Sequence, residues 1–164
     1  MNKKAIAIAV VAALGLTSQA ASAKGWTVLA GLEDGYTPEP TVSVIGGVSK
    51  GNVAIYGAEF SLNCPLLQPP TNKIRQQASY VYADGQNNIQ LNPHYVVEVS
   101  KNLWIGAGPA LGVGFGNSTN FAAGLGASAH YEMGPLFLGA ESGYTYTTDS
   151  GAWRALAKVG FNIR

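Results

Sequence analysis

Charged residues are scarce in this chain of 164 residues, and cysteine is almost absent. Lys, Arg, Asp and Glu make up 12% of the sequence, about half of their share in an ordinary soluble domain. The formal net charge is +1, so the chain lacks the strongly basic character of nucleic-acid-binding proteins. Cys64 is the one cysteine, which excludes an internal disulfide. We therefore expect no nucleic-acid partner and a fold without covalent crosslinks.

Long hydrophobic segments are missing as well, because the apolar stretch over residues 5–16 is too short to cross a membrane as a helix. Lys3-Lys4 precedes this stretch, and Ala21-Ser22-Ala23 follows it. A basic start, a short apolar region and a small-x-small cleavage site are typical of a secretory signal peptide. We predict a signal peptide over residues 1–23, removed after export through the general secretory pathway, and one domain over residues 24–164.

The sequence is rich in segments that alternate between apolar residues and small or polar ones. The odd-numbered residues from 153 to 163 are all apolar, whereas the even-numbered residues among them include Arg154 and Lys158. This period of two predicts β-strands with two different faces. Segments of about ten residues have the length that a tilted strand needs to cross a bilayer. The candidate strands are 26–33, 41–49, 53–63, 74–83, 89–100, 103–115, 121–132, 136–147 and 153–163.

This number of candidates conflicts with the even strand number of single-chain bacterial barrels. From residue 74 onward the order of strands and connections is self-consistent. We therefore place the surplus segment among the first three candidates and predict eight strands, with ten as the alternative. Residues 100–102 and 132–135 are predicted as short periplasmic turns, and residues 84–88, 115–120 and 147–152 as outer loops.

The second face of these strands distinguishes a membrane barrel from a soluble β-sandwich. A sandwich turns this face to water and covers it with Lys, Glu and Asp, whereas here it carries mainly Gly, Ala, Ser, Asn, Gln and Thr. The narrow interior of a barrel requires such small and polar residues. We therefore predict an all-β fold, a closed antiparallel up-and-down transmembrane β-barrel. Aromatic residues near strand ends are expected to form interfacial girdles: Trp26, Tyr56, Tyr82, Tyr95, Tyr131, Tyr146 and Trp153.

Glycine occupies almost every second position of residues 103–116. The glycines of residues 124–129 formally fit a dinucleotide-binding turn, but such a turn requires a helix after it, and no helical periodicity follows. We therefore predict that glycines line the lumen and leave room for longer side chains of neighbouring strands: Gly106, Gly108, Gly112, Gly114, Gly124 and Gly126. Pro109 cannot donate to a strand ladder, and we predict that it marks a bulge or kink.

Isolated charged and histidine residues fall on the predicted lumen face: Glu59, Arg75, His94, Glu98, His130, Glu132, Glu141, Arg154 and Lys158. Unpaired charges in a narrow interior are costly, so we expect these side chains to form a connected polar network. Glu59 is expected to pair with Arg75 on the next strand, and Lys158 or Arg154 are its alternative partners. We predict neither a metal site nor a cofactor.

The alternating segments and the closing KVGFNIR, residues 158–164, resemble the small outer-membrane β-barrel proteins of the outer membrane protein A transmembrane type. Phe161 and Ile163 match the alternating apolar residues with which the last strand of that family ends. The resemblance implies a bacterial outer-membrane location, contact with outer-membrane lipids and recognition by the barrel assembly machinery. It implies a structural or membrane-integrity role, and we expect a monomer.

Two other functions fit the same barrel. A narrow pore for small solutes or ions would use the polar lumen as its path. A barrel-embedded lipid hydrolase would use Ser128, His130 and Glu132, which alternate on one face and are the residue types of a Ser–His–acid site. Because that face is the lumen face, away from a lipid substrate, we expect no enzymatic activity.

Overall fold

The computed structural model describes residues 38–64, 72–116, 119–147 and 150–163, and these residues form eight antiparallel β-strands. Each strand pairs with the next and the last pairs with the first, so the sheet closes into an up-and-down barrel. The predicted closed barrel of eight strands is confirmed. The strands are β1 (Thr41–Ser49), β2 (Val53–Asn63), β3 (Asn72–Ala83), β4 (Gln86–Ser100), β5 (Leu103–Phe115), β6 (Thr119–Met133), β7 (Leu136–Tyr146) and β8 (Gly151–Asn162).

The surplus candidate strand, 26–33, lies outside the described residues, as do the predicted signal peptide and Trp26. The other eight candidate segments all correspond to strands of the barrel. β1 pairs with β8 from Thr41 to Ser49 without interruption, so eight strands complete the closed sheet. Within the described ranges, no helix has the length and hydrophobicity needed to cross a membrane.

The outer loops are shorter than predicted. Between β3 and β4 only Asp84 and Gly85 form the turn, and their φ values of 48° and 74° suit a two-residue hairpin of type I′. Residues 86–88 belong to β4, residues 119–120 to β6 and residues 151–152 to β8. These strands continue to the turns because their neighbours still offer backbone partners.

Both ends of the described chain lie at the same end of the barrel, because the strand number is even. We call this the inner end, and we call the opposite end, which carries the turns after β1, β3, β5 and β7, the outer end. The girdle residues divide between them, with Tyr56, Tyr82, Tyr146 and Trp153 toward the outer end and Tyr95 and Tyr131 toward the inner end.

Side chains alternate between the two sides of the barrel wall. The outward rows expose large apolar side chains such as Val44, Phe121 and Leu125, the last with 71% of its surface exposed. The inward rows are mainly polar and buried. They also carry apolar side chains, among them a cluster toward the outer end formed by Ile45, Ile55, Val81 and Leu156. An apolar exterior around a polar interior is the reverse of what a soluble domain shows.

Two prolines interrupt the backbone ladder between β4 and β5. Pairing stops after Leu91 of β4 and resumes at Tyr95 in the same register, which places Pro93 opposite Pro109. The Pro93 carbonyl points across to β5, but proline offers no N–H there. Pro109 therefore removes ladder hydrogen bonds without shifting the register. The expected bulge is not at Pro109, since the register shift of this pair lies within residues 98–100.

The inward glycines accommodate their neighbours in two ways. A Cβ atom added at Gly114 would lie 2.8 Å from Oδ1 of Asn88, and one at Gly126 would lie 3.1 Å from Nε2 of His94. These glycines, like Gly112, leave room for polar side chains of other strands. At Gly106, Gly108 and Gly124 an added Cβ would instead overlap the backbone of the neighbouring strand.

Replacing Gly124 with alanine is expected to destabilise the barrel by about 1–3 kcal/mol. The added methyl would overlap the backbone oxygen of Tyr144, which cannot rotate away as a side chain can. The control is Gly46→Ala on the outward face, where the methyl meets nothing within 4 Å. Urea titration in detergent should give a lower free energy of unfolding for Gly124→Ala alone. Equal stabilities of the two variants would contradict the close strand approach at Gly124.

Candidate functional site

Lys158 lies in the middle of the barrel interior and binds side chains of three other strands. Its ammonium group donates to Oε2 of Glu59 and to Oε2 of Glu141, both at 2.6 Å, and to Oε1 of Gln77 at 2.9 Å. Nη2 of Arg154 donates to the other oxygen of Glu141 at 2.6 Å. All five residues are buried, and we call them the central cluster. Its two carboxylates face two cations, so each buried charge has a partner, as a low-dielectric interior requires.

His94 extends the central cluster toward β6. Nε2 of Gln77 lies 3.3 Å from Nδ1 of His94, and Oγ of Ser128 lies 2.8 Å from the same nitrogen. Since Oε1 of Gln77 accepts from Lys158, its amide can only donate to the imidazole. We therefore assign Nδ1 as an acceptor and place the ring proton on Nε2. His94 thus links Ser128 to the central cluster as a neutral side chain.

Arg75 binds neutral oxygen atoms rather than a carboxylate. Its Nε donates to Oγ of Ser61 at 3.1 Å, Nη1 donates to Oδ1 of Asn63 at 3.4 Å, and Nη2 donates to Oγ1 of Thr41. The residue is only 2% exposed. Three hydroxyl and amide oxygens therefore replace water around this guanidinium, which keeps several of its N–H groups hydrogen-bonded inside the barrel.

The expected pair of Glu59 with Arg75 is wrong, and Glu59 binds Lys158, one of its two alternative partners. The register explains the difference. Glu59 lies opposite Ser79, whereas Arg75 lies opposite Asn63, nearer the inner end. Both side chains point into the lumen, but they lie at different heights along the barrel axis. Lys158 of β8 occupies the space beside the Glu59 carboxylate.

Two cationic side chains flank three aromatic rings across the inner end of the lumen. Nζ of Lys73 lies 4.1 Å from the ring centroid of Trp104, and Trp104 stacks on His130 with centroids 6.2 Å apart. His130 meets Phe137 at 5.1 Å, and the Arg75 guanidinium lies 5.7 Å from the Phe137 ring. All five residues are buried, and we call them the inner layer. Their contacts combine cation–π attraction with aromatic packing and fill this end of the barrel.

A short segment before β1 lies across the inner layer. The backbone N–H of Asn63 donates to the Pro38 carbonyl at 2.7 Å. Oε2 of Glu39 accepts from Nζ of Lys73 at 2.6 Å and from Nδ2 of Asn63 at 2.7 Å. Partial burial of the Glu39 carboxyl raises its pKa, but the hydrogen bonds and the charge of Lys73 outweigh burial. The pKa of Glu39 therefore lies below its ordinary value of 4.5.

The stability that Glu39 contributes is expected to depend on pH in a defined direction. Because the folded state lowers the pKa of Glu39, its contribution is fully present above the ordinary pKa and is lost as the pH falls through the folded-state pKa. The free energies of unfolding of the native protein and of Glu39→Gln should therefore differ most near neutral pH and become equal in acid. A difference that stays constant down to about pH 2 would contradict an ionised Glu39 bound to Lys73.

The other two predicted lumen residues lie closer to the inner end. Oε1 of Glu132 lies 3.7 Å from Nε2 of His130 and 4.0 Å from Nζ of Lys73, beside the inner layer. Oε1 of Glu98 accepts from the backbone N–H of Asn102 at 2.8 Å and caps the turn between β4 and β5. The structure thus places all nine predicted residues on the inward side. In the part of the chain that it describes, direct contacts divide them among the central cluster, the inner layer and this turn.

Several residues of these groups were not predicted as site residues. Lys73 lies one residue before the predicted start of its strand and has the same parity as Arg75 and Gln77, so a longer strand would have included it. Phe137 follows the alternation of Glu141. Glu39 precedes β1, where the alternation contains no signal for its position.

Ser128, His130 and Glu132 do not assemble into the Ser–His–acid arrangement that their spacing suggested. Ser128 binds His94, whereas the His130 ring packs between two aromatic rings of the inner layer. Successive residues on one face of a strand lie about 6.5–7 Å apart. Here Oε1 of Glu132 lies 3.7 Å from Nε2 of His130, but Ser128 turns to His94 instead of His130. Within the described ranges, no group of three or more His, Cys, Asp or Glu side chains could hold a metal ion.

Comparisons with known proteins place this architecture among transmembrane barrels. No family model and no curated protein sequence matches the chain. The outer membrane enzyme PagL has a similar structure, with a TM-score of 0.60 and 18% identity over 75% of this chain and 99% of that one. A structure from the de novo design of transmembrane β-barrels has a TM-score of 0.56 and 15% identity, over 78% of this chain and 98% of that one. The N-terminal β-barrel domain of Pseudomonas aeruginosa OprF has a TM-score of 0.52 and 18% identity, over 76% of this chain and 96% of that one. At these identities the similarity shows a shared fold alone.

Proposed function

We propose that the chain is an integral β-barrel protein of the Gram-negative outer membrane, with a structural or membrane-integrity role. The observation that carries the proposal is an exposed apolar wall around an interior filled by its own charged and aromatic side chains. A wall of this kind favours a lipid environment, and a filled lumen favours a role that needs no transport.

The outward surface supports the membrane location. Leu125, Val44 and Phe161 are each more than half exposed, on three different strands, and outward apolar residues surround the whole barrel. In water such a continuous apolar surface would drive association, whereas lipid chains solvate it. The partners that we propose are outer-membrane lipids and, during biogenesis, the barrel assembly machinery, and the folded protein is a monomer.

The interior supports a structural role over a pore. A solute that crosses the lumen would have to pass the central cluster and then the inner layer, whose members are all buried. Separating Lys158 from two carboxylates at 2.6 Å would leave buried charges without partners, which is costly. The resting barrel is therefore closed to ions and solutes in this proposal.

Planar-bilayer recordings test the closed lumen. The purified native protein, shown to be folded by a heat-modifiable shift in gel mobility, is expected to give no stepwise conductance. The sensitivity control is the double variant Trp104→Ala and Phe137→Ala, which removes two large rings from the inner layer. It should conduct more readily than the native protein. Regular conductance steps from the native protein would overturn the structural role and favour a narrow pore.

A lipid hydrolase is the alternative that one specific contact favours, the 2.8 Å hydrogen bond between Ser128 and His94. An imidazole beside a hydroxyl can accept its proton during nucleophilic attack. Both residues face the lumen, however, and His94 has no exposed surface, so a lipid ester would not reach them. Incubation with phospholipid and lipid A is expected to release no fatty acid above the level of Ser128→Ala. Release that this substitution abolishes would establish the enzyme instead.

A further inference from the structure

A small cavity lies between the central cluster and the inner layer. Its volume is about 10 Å³, and its walls include Glu59, Gln77 and Lys158 on one side and Arg75 on the other. Gly139 also lines it. Glu59 and Arg75, which form no direct pair among the described contacts, therefore line the same space. In this space the two groups of buried charges share one cavity.

The size and the lining of this cavity fit a water molecule. A space of about 10–15 Å³ is the smallest that holds one water, which also needs two to four polar partners. The walls carry cations and a carboxylate together, so an ion of either sign would meet a like charge. A neutral dipole can instead turn its oxygen to a cation and a hydrogen to the carboxylate.

Both prospective partners retain hydrogen-bonding capacity. A guanidinium has five N–H groups, and three nitrogen atoms of Arg75 each make one hydrogen bond, to Ser61, Asn63 and Thr41. Counted over the described residues, two N–H groups are therefore left for another acceptor. The Glu59 carboxylate binds Lys158 through Oε2, and its oxygens together can accept several hydrogen bonds.

We propose that this cavity is a water-binding site whose water donates to Glu59 and accepts from Arg75. A bridging water is nearly as favourable in enthalpy as a direct hydrogen bond. It joins the central cluster to the inner layer across a gap that the strand register keeps open. This site depends only on the packing of the interior and is independent of the proposed role in the membrane.

Filling the cavity provides the test. A methyl group at Gly139 would lie 3.2 Å from two ring carbons of Phe137 and 3.5 Å from Cβ of Lys158, so a small shift of the ring accommodates it. Gly139→Ala should then displace the water without removing a charge. Gly46→Ala is the matched control, because its methyl meets nothing within 4 Å.

Double-mutant cycles measure the coupling between Glu59→Gln and Arg75→Met in the equilibrium constant of unfolding. In the native background we expect a coupling of about three- to tenfold. In the Gly139→Ala background this coupling should fall to less than about 1.5-fold, while the coupling of Glu59 to Lys158 persists. Retention of the Glu59–Arg75 coupling in Gly139→Ala would overturn the water bridge and indicate direct electrostatic interaction.

A second measurement on the native protein does not depend on a variant that folds. Magnetisation transfer from long-lived water to the amide hydrogen of Gly139 should be detected by NMR in detergent micelles. The amide of Gly46 on the outward face should show none from interior water. Absence of transfer to Gly139 would overturn the proposal.

Discussion

Lys158→Met is expected to lower the free energy of unfolding by about 3–5 kcal/mol, the typical cost of removing one partner of a buried ion pair. The substitution keeps much of the side-chain volume but leaves the Glu59 carboxylate without its cation and removes one of the two cations that bind Glu141. Urea titration in detergent, with the folded fraction read from gel mobility without boiling, measures the loss.

A second substitution separates charge from packing. Adding Glu59→Gln to Lys158→Met removes the uncompensated carboxylate while Arg154 still neutralises Glu141, so much of the stability should return. The surface control is Lys50→Met, since Lys50 is exposed in the turn after β1 and its ammonium group donates to the Gly151 carbonyl at the surface. A loss below about 1 kcal/mol for Lys158→Met would contradict a buried charge cluster, as would failure of the double variant to recover stability.

Leu125→Arg is expected to cost about 2–4 kcal/mol in lipid, the typical penalty for a cation on the lipid face of a barrel near the bilayer midplane. Leu125 lies in the middle of β6, points outward and is 71% exposed. A soluble protein would tolerate arginine at so exposed a position. The size of the stability loss therefore distinguishes a lipid environment from water. Folding titrations into lipid vesicles give the free energy.

Thr119→Arg is the matched control for this prediction. Thr119 lies on the same strand and the same face as Leu125 but at the outer end, where the cost of arginine falls to about 0–1 kcal/mol. Equal effects at both positions would contradict the proposed membrane depth of Leu125. A harmless Leu125→Arg would show that the outward wall does not contact lipid.

The period of two in the sequence was sufficient to predict the strands and the faces of their residues. One-residue alternation is a local property, and the pleat of a strand converts it directly into inward and outward rows. The turns were harder to predict. Gln86 and Asn88 are polar like loop residues, and they belong to a strand because β3 and β5 still offer backbone partners beside them.

Partners across the lumen could not be predicted in the same way. Alternation shows that Glu59, Arg75 and Lys158 point inward, but the level of each side chain depends on the stagger between all eight strands. An ion pair of Glu59 with Arg75 was expected because the two residues lie on neighbouring strands. Closure of the sheet instead brings Lys158 of β8 to Glu59. Glu39 was beyond prediction because a backbone contact outside the strands positions it.

The facing prolines of β4 and β5 divide the barrel into two four-stranded halves that are joined unequally. At one junction β1 and β8 pair without interruption from Thr41 to Ser49. At the other, Pro93 and Pro109 remove hydrogen bonds worth about 0.5–1.5 kcal/mol each. Thermal fluctuations that part neighbouring strands should therefore begin at this junction, and amide hydrogens beside the prolines should exchange for deuterium before those between β1 and β8.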